Sequence, residues 1–290
     1  MNNCPWCQTP TNKTVLELKD YFLTKEEFQI LECPHCGLLF TTPKPTPKEI
    51  GKYYQSENYY SHQQNKKGLV PRLYEFVKSF NIKHKATLAI GGIAPGRLLD
   101  IGCGVGDFLV QVKKQGWEIQ GVEPSEEAKN IAEKRLGFRP ISPTDYENFE
   151  DQSFDVITMW HVLEHIDDLH FQTKEIIRLL KPGGRLIIAL PNFQSFDCQY
   201  YKEKWAAWDV PRHLNHFAPE VIRELFTSIG FQTIDTQKLI WDAYYISLMS
   251  ERFLNHSMPL IRGAWVGQRS NCKARKTGMY SSLVYRFQKP

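Results

Sequence analysis

The chain lacks several features that mark other classes of protein. It has no uninterrupted apolar run near the 18 residues of a membrane span, and its first residues, Met1-Asn2-Asn3-Cys4, carry neither the charged nor the apolar region of a signal peptide. Internal repeats and low-complexity tracts are also absent from the sequence. These absences exclude a membrane-embedded or repeat protein, and we expect a cytoplasmic protein that does not bind membranes.

Acidic residues are missing from the last part of the chain. Residues 252–290 contain eight Lys and Arg but no Asp or Glu, whereas the preceding 251 residues contain 28 basic and 32 acidic residues. Such a stretch either attracts an anion, such as a nucleotide-linked sugar or RNA, or forms a solvated face around the last strand. With 290 residues, 42% of them hydrophobic, the chain is long enough for one large core and a small accessory module.

Four of the seven cysteines form two C-x-x-C pairs near the N-terminus: Cys4, Cys7, Cys33 and Cys36. Each tight turn brings two thiolates to one place, and four thiolates are what a tetrahedral structural zinc ion needs. The alternatives are a disulfide, which the lack of an export signal disfavours, and a redox pair, which the lack of a βαβ context disfavours. We predict a zinc-ribbon-like module over residues 1–42, then a proline-spaced linker and helical segment over residues 43–95.

A glycine-rich turn follows the strand predicted at Leu98–Ile101. Its glycines, Gly102, Gly104 and Gly106, stand at every second position, unlike the G-x-G-x-x-G spacing that admits a pyrophosphate. The turn therefore favours a small zwitterionic ligand close to bare backbone. Glu123 lies 21 residues after Gly102, at the end of the next predicted strand, where one carboxylate can bind both hydroxyls of a ribose. The run resembles motif I of the class I S-adenosylmethionine (SAM) methyltransferases.

Strands and helices alternate from Arg97 to about Lys238, as in a doubly wound parallel sheet. The resemblance to class I methyltransferases covers residues 96–238 and implies a Rossmann-like α/β fold, with a lid inserted at residues 192–217. Residues 239–290 are predicted to add one helix near 241–255 and a final strand, Tyr280–Phe287, that completes the sheet.

The resemblance also implies which residues bind SAM. Asp100 can fix the glycine loop or meet the ammonium group of the ligand, and Asp145 and Tyr146 are candidates for the edge and face of the adenine. The full set of predicted cofactor-binding residues is Asp100, Gly102, Cys103, Gly104, Gly106, Asp107, Phe108, Glu123, Pro124, Asp145, Tyr146, Met159 and Trp160.

A second informative block is the strand predicted at Phe154–Met159 and the residues that follow it. His161-Val162-Leu163-Glu164-His165 matches the H-x-x-E-H pattern of some metalloproteases, but the preceding buried strand and the upstream glycine loop speak against a peptidase. The block resembles the fourth-strand motif of class I methyltransferases, whose residues border the methyl group.

Three roles stay open for His161, Glu164 and His165. One is a general base, for which His161 is the best candidate because histidine titrates near neutral pH. Another is a divalent-metal site, as in the similar quinone-pathway O-methyltransferases, although those carry an acid at the position of His161. The third is helix capping and packing by Glu164 and His165.

The predicted lid is rich in aromatic and ionisable side chains. Its segment Asp209–Phe217 resembles one in bacterial methyltransferases of polysaccharide and secondary-metabolite pathways. We expect the lid to cover the acceptor, with His213 as a second catalytic candidate and Arg212 holding a phosphate or carboxylate; a structural lid packed on its own tryptophans is the alternative. The predicted acceptor-binding residues are His165, Asn192, Trp205, Trp208, Arg212 and His216.

These observations favour a SAM-dependent methyltransferase of a small molecule, with SAM and a structural zinc ion as its cofactors. The four-cysteine module is similar to that of sugar C-methyltransferases, which suggests a sugar or secondary-metabolite precursor, anionic or nucleotide-linked, as the acceptor. An RNA methyltransferase with a zinc ribbon and a SAM-binding interaction protein without activity are the alternatives. The methylated atom and the oligomeric state stay open.

Overall fold

The computed structural model describes residues 2–46, 48–54 and 69–290, with the backbone alone for residues 69–78. Residues 47 and 55–68 of the predicted linker lie outside the described residues. Among the helices that are described, none is both long enough and apolar enough to cross a membrane.

The N-terminal module consists of short antiparallel strands. Strand β1 (Asn2–Asn3) pairs with β2 (Pro10–Thr11), and β3 (Thr14–Lys19), β4 (Glu27–Glu32) and β5 (Leu39–Thr42) form a sheet in that order. The first C-x-x-C turn follows β1 and the second follows β4. The four cysteines are therefore positioned by two separate sheets of the module. A short 3₁₀ helix, Ile50–Tyr53, follows β5.

The central sheet has six strands, and its carboxyl edge carries the predicted cofactor residues. Four strands are parallel: β6 (Arg97–Ile101), β7 (Glu118–Val122), β8 (Phe154–Trp160) and β9 (Leu180–Pro191). Strand β10 (Asn215–His216) belongs to the module, whereas β11 (Gln232–Lys238) and β12 (Ser282–Gln288) give the order β11-β12-β9-β8-β6-β7.

The prediction of a doubly wound parallel sheet is confirmed for β6, β7, β8 and β9 but is wrong for β12. Strand β12 runs antiparallel to both β9 and β11, with Ser282 opposite Pro191. The reason is that the chain returns to the sheet at its carboxyl edge after the C-terminal helices, so the last strand must run in the opposite direction. The result is an α/β fold with a mixed central sheet.

Eight α-helices are described, and they pack on both faces and at the carboxyl edge of the sheet. They are α1 (Leu69–Ile90), α2 (Asp107–Lys113), α3 (Glu126–Leu136), α4 (Leu169–Leu179), α5 (Phe196–Tyr201), α6 (Pro219–Ser228), α7 (Asp242–Phe253) and α8 (Pro259–Thr277). Helix α3 begins after Ser125, whose hydroxyl accepts the Ala128 N–H, and ends at Gly137 in the left-handed conformation, as its capping residues predict.

Helix α8 is a second C-terminal helix where the sequence suggested only one. Small residues make up most of its buried face, namely Gly263, Gly267, Ser270 and Ala274, and the other two buried residues are Val266 and Asn271. A Cβ atom on Gly263 would lie 2.7 Å from the Leu248 Cα of α7, so the two helices touch backbone to backbone. Hydrophobic periodicity gives no signal for such a face, which is why the helix was missed.

The predicted lid is joined to the N-terminal module. Strand β10 extends the module's sheet beside β5, with Asn215 opposite Phe40, and the Thr41 hydroxyl donates to the His213 carbonyl at 2.7 Å. The C-terminal end of the predicted lid is therefore held in a sheet with residues that precede it by about 175 positions.

The buried Arg212 side chain fixes this junction through three partners. Its side chain is 1% exposed, and the guanidinium donates to Asp20 at 2.9 Å, to Asp209 at 2.7 Å and to the Tyr53 carbonyl at 3.0 Å. The expectation that Arg212 holds a phosphate or carboxylate of the acceptor is wrong, because both carboxylates belong to the chain and the group is sealed from solvent.

Replacing Arg212 should strongly destabilise the fold. Arg212→Ala leaves Asp20 and Asp209 without their counter-charge, which costs about 3–5 kcal/mol for a buried pair. Arg212→Lys keeps the positive charge and should lose less stability than Arg212→Ala. The surface pair Arg135–Asp107 supplies a control, since Arg135→Ala should cost under about 1 kcal/mol in the same denaturant titration. Equal losses for the two alanine variants would contradict the structural role of Arg212.

Candidate active site

The glycine loop lies at the carboxyl end of β6 and is tied to the neighbouring strand. Gly102, Gly104 and Gly106 have φ angles of 73°, 53° and 82°, a left-handed region that residues with a side chain rarely adopt. The amides of Gly102 and Cys103 donate to the Val122 carbonyl at 2.8 and 3.0 Å. Three alternate left-handed residues thus fold the turn tightly enough to bring its backbone to the end of β7.

Glu123 stands beside this loop and is 8% exposed. One carboxylate oxygen accepts the Gly104 N–H and the other accepts the Ser125 N–H, both at 2.9 Å. Each oxygen of an ionised carboxylate has a further lone pair, so the group can still accept two hydroxyl donors. Burial raises the pKa of Glu123, although the two amides favour the ionised form. The geometry suits a vicinal diol.

Asp100 is the most deeply buried acid of the cofactor set, with 2% exposure. Its carboxylate accepts the Thr158 hydroxyl at 2.6 Å, but burial outweighs this hydrogen bond and raises the pKa of Asp100 to about 7. The Lys85 ammonium, which the sequence interpretation missed, lies 4.9 Å from the centre of the Trp160 ring and interacts electrostatically with Asp100. Lys85 comes from α1, a helix outside the recognised motifs.

Among the other predicted cofactor residues, two aromatic rings contact each other, and the rest are buried or lie in a turn. Phe108 and Trp160 meet edge to face at 5.3 Å, whereas Met159 is fully buried in the core cluster on the other face of the sheet. Cys103 is buried beside Gly121, and Pro124 follows Glu123 in the turn before α3.

Two further predicted residues have partners within the chain. Asp107 begins α2 and pairs with Arg135 at 2.8 Å. Asp145 caps its own turn by accepting the Ser142 amide and the Thr144 hydroxyl.

Tyr146 does not form the adenine face that the sequence suggested. The ring is 2% exposed within the core, and its hydroxyl donates to Gln172 at 3.2 Å. A fully packed ring has no face left for a ligand. Asp145, which is half-buried, stays at the edge of the site.

His161 directly follows β8 in the left-handed conformation, with a φ angle of 59°. Its Nε2 lies 2.9 Å from an Asp242 carboxylate oxygen, and its Nδ1 lies 3.4 Å from Glu164. Burial alone would lower the pKa of His161, but the hydrogen bonds and charges of these acids raise it to about 9. The ring is therefore protonated at neutral pH in this structure, which differs from the neutral base expected from the sequence.

Asp242 is a site residue that the sequence interpretation missed. It begins α7, four residues after β11, and β11 runs parallel to β9, so both strands end at the same edge of the sheet. The rule that ligands bind beyond the carboxyl ends of strands could have found it.

His165 and His213 meet in a second cluster beside the predicted lid. Their rings are edge to face at 4.6 Å, and burial lowers the pKa of His213 to about 4. Glu164 lies against them, so that one ligand atom from each of the three residues falls within 4.8 Å of the others. His213 is therefore placed with His165 rather than with His161.

The remaining predicted acceptor residues are buried and hold the lid together. Asn192 donates to the Tyr280 carbonyl, Trp205 to Asp197 and Trp208 to the Lys202 carbonyl, and His216 lies 3.0 Å from the Thr41 hydroxyl. These contacts correspond to the alternative of a structural lid packed on its own tryptophans.

The four N-terminal cysteines converge on one point. The Sγ–Sγ distances are 3.5 Å for Cys4–Cys36, 3.3 Å for Cys7–Cys33 and 3.6 Å for Cys7–Cys36. A disulfide would need about 2.05 Å, whereas thiolates around a tetrahedral zinc ion lie about 3.8 Å apart. The cysteines are therefore free thiols in an arrangement that fits a zinc ion.

The basic C-terminal segment is partly neutralised within the chain. Arg262 pairs with Glu251, Arg286 pairs with Asp235, and the Lys289 ammonium donates to the carbonyls of Ile177 and Leu180. This leaves less free positive charge for RNA than the sequence alone suggested.

Comparison with known proteins gives a consistent family. The family model described as "Methyltransferase domain" matches residues 74–236. A ubiquinone biosynthesis O-methyltransferase of Alkalilimnicola ehrlichii is 30% identical over 110 residues, which cover 36% of this chain and 44% of that protein. A demethylmenaquinone methyltransferase of Thermotoga maritima is 31% identical over 189 residues, which cover 57% of this chain and 82% of that protein.

Solved structures of methyltransferases have a similar fold. One of them is the Haemonchus contortus phosphoethanolamine N-methyltransferase 2 in complex with S-adenosyl-L-methionine, with 19% identity, a TM-score of 0.53 and coverage of 95% of this chain and 71% of that chain. At this identity the likeness concerns the fold.

The buried Asp100 should make folding stability depend on pH. Its pKa rises from about 3.9 in the unfolded chain to about 7, so the ionised form is disfavoured in the folded state and stability falls as pH rises through this range. Asp100→Asn should remove this loss. Its free energy of unfolding should therefore exceed that of the wild type by about 2–4 kcal/mol at pH 8, but by little at pH 4. Urea titrations at both pH values test this, and an equal difference at both would contradict it.

Proposed function

Because this chain belongs to the family of SAM-dependent methyltransferases, we propose that it methylates a small-molecule acceptor bound between the glycine loop and the segment 192–217. The observation that carries the cofactor assignment is Glu123, a buried carboxylate with two lone pairs left for a diol. The backbone of Gly104 approaches the same place, where an added Cβ would meet no described atom within 4 Å.

SAM supplies an electrophilic methyl group on a positively charged sulfur. The acceptor attacks the methyl carbon, the carbon–sulfur bond breaks with its electron pair remaining on sulfur, and the acceptor loses a proton. The chain contributes mainly by positioning, since Glu123 fixes the ribose and the loop fixes the rest of the donor.

His161 is our candidate for the residue that receives the acceptor's proton. Asp242 accepts the Nε2–H, so the acceptor's proton would be taken up at Nδ1, the nitrogen that lies 3.4 Å from the Glu164 carboxylate. The positive charge of the donor disfavours the protonated ring, which moves His161 towards the form that can accept a proton.

The acceptor class is part of the proposal. The four-cysteine module and the segment 209–217 favour a sugar or secondary-metabolite precursor. The ubiquinone and menaquinone relatives suggest a second class of acceptor, a hydroxylated ring, which is tested beside the first. We also propose that Cys4, Cys7, Cys33 and Cys36 hold a structural zinc ion, because four soft ligands leave no open position for chemistry.

Glu123→Gln should weaken SAM binding at least about tenfold, because the neutral amide replaces a carboxylate that makes charge-assisted hydrogen bonds to the ribose. Calorimetry with SAM measures the dissociation constant. Glu118→Gln, at the exposed beginning of the same strand, is the control and should leave it unchanged. Unchanged affinity in Glu123→Gln would refute the ribose assignment.

Transfer of a labelled methyl group from SAM to nucleotide-linked sugars, to hydroxylated rings or to RNA identifies the acceptor. We expect a small molecule to be methylated, and His161→Gln to lower kcat by about 10²–10⁴-fold with SAM affinity retained. His84→Gln, an exposed histidine of α1, is the matched control. Methylation of RNA alone would contradict the proposal, and an unchanged kcat in His161→Gln would remove its catalytic role.

A further inference from the structure

Lys85 is a charged residue of the site to which the proposed reaction assigns no role. It lies on α1, and its ammonium group is 4.9 Å from the centre of the ring of Trp160, the last residue of β8. Within the part of the chain that the structure describes, this ammonium has no hydrogen bond and no ion pair. A ligand can therefore accept the N–H groups that no described residue takes up.

The charged groups around Lys85 are acids. Burial lowers the pKa of Lys85, and the charges of Asp242, Asp100 and Glu164 oppose this shift. Asp242 and Glu164 also face the protonated ring of His161, whereas Asp100 has no ion pair with a described residue. Lys85 and Asp100 are therefore opposite charges that act on each other, and each of them lacks a direct ionic partner.

The glycine loop beside Asp100 has few backbone donors left for an anion. In many nucleotide-binding turns, the N–H groups of the loop bind the anion themselves. Here four of them already donate to oxygen atoms of the chain, namely the N–H groups of Gly102, Cys103, Gly104 and Gly106. An anionic group that approaches this loop therefore needs a donor from outside it, and Lys85 supplies one.

We propose that Lys85 binds the carboxylate of the methionine part of SAM, while Asp100 binds the ammonium group on the same carbon. An α-amino acid carries one group of each charge, so its receptor needs an acid and a base close together. Strand β6 supplies the acid and α1 supplies the base. The assignment rests on the proposed function, because it concerns the donor of that reaction.

The aromatic neighbours of Lys85 favour the donor over the acceptor as the source of this carboxylate. Trp160, whose ring lies beside the ammonium, packs edge to face on Phe108, the second residue of α2. Helix α2 begins directly after the glycine loop, whereas the residues of the predicted lid pack around His165 and His213. Lys85 is thus grouped with the elements that hold the loop.

This pair of charges gives the site a preference for the complete donor. Decarboxylated SAM keeps the sulfonium and the ammonium but lacks the carboxylate, so it is more positive than SAM. The acids Asp100, Glu123, Glu164 and Asp242 would favour the more positive ligand if no cation opposed it. Lys85 reverses this preference, because its ammonium repels the more positive ligand and is left without a partner when the carboxylate is missing.

Calorimetry with SAM and with decarboxylated SAM tests the assignment in the full-length protein. The wild type should bind SAM at least about tenfold more tightly, because decarboxylated SAM lacks a charge-assisted hydrogen bond. Lys85→Met should abolish or reverse this preference by weakening the binding of SAM, and Lys85→Arg should retain it. Lys83→Met replaces an exposed lysine of the same helix, and this matched control should keep the wild-type ratio of dissociation constants.

The ratio is measured within each variant, so a general loss of stability does not imitate the expected result. Lys85→Gln, which is polar but uncharged, should lose the preference as well and serves if Lys85→Met fails to fold. Equal affinity of the wild type for both ligands would overturn the proposal. An unchanged ratio in Lys85→Met would also overturn it, whether both affinities fall together or neither changes. A wild type that binds no SAM would instead refute the proposed function, so the two failures are distinguishable.

Discussion

The ion pairs of the buried Arg212 with Asp20 and Asp209 determine how the parts of this molecule are joined. Two carboxylates and a backbone carbonyl from three separate segments satisfy one guanidinium that solvent does not reach. A buried charge of this kind is tolerated only when every partner is in place. The N-terminal module, the segment near Tyr53 and the lid therefore form one unit, although the sequence reads as a module, a linker and an insertion.

This junction also places the residues that the proposed function assigns to the acceptor side of the site. The carbonyl of Arg212 orients His165, and the residue after Arg212 is His213, whose ring contacts that of His165. Two residues further on, β10 begins and pairs with the sheet of the module. The donor side is built differently, because a glycine turn and one carboxylate at adjacent strand ends suffice. One side of the site is thus a local sequence motif, and the other side is a surface built from residues in distant parts of the chain.

This difference explains what the sequence could predict. The glycine turn, Glu123 and the cap at Ser125 are local patterns whose spacing follows from backbone geometry, and the structure has them where expected. Arg212 and Tyr146 were misassigned because residue type does not reveal a buried partner. Helix α8 and Asp242 were missed for another reason. Neither small residues at a close helix contact nor a single acid four residues beyond a strand end produces a hydrophobic period.

The pairing of β5 with β10 has a consequence for synthesis of the chain on the ribosome. Phe40 is translated about 175 residues before its partner Asn215, which takes about 10 to 35 s at typical elongation rates. During that interval the β5 edge presents open amide and carbonyl groups on a newly made polypeptide, a template for unwanted strand addition. A cell that produces this protein quickly at high concentration therefore risks aggregation through that edge, and slower translation or a chaperone that covers residues 39–42 should increase the soluble yield.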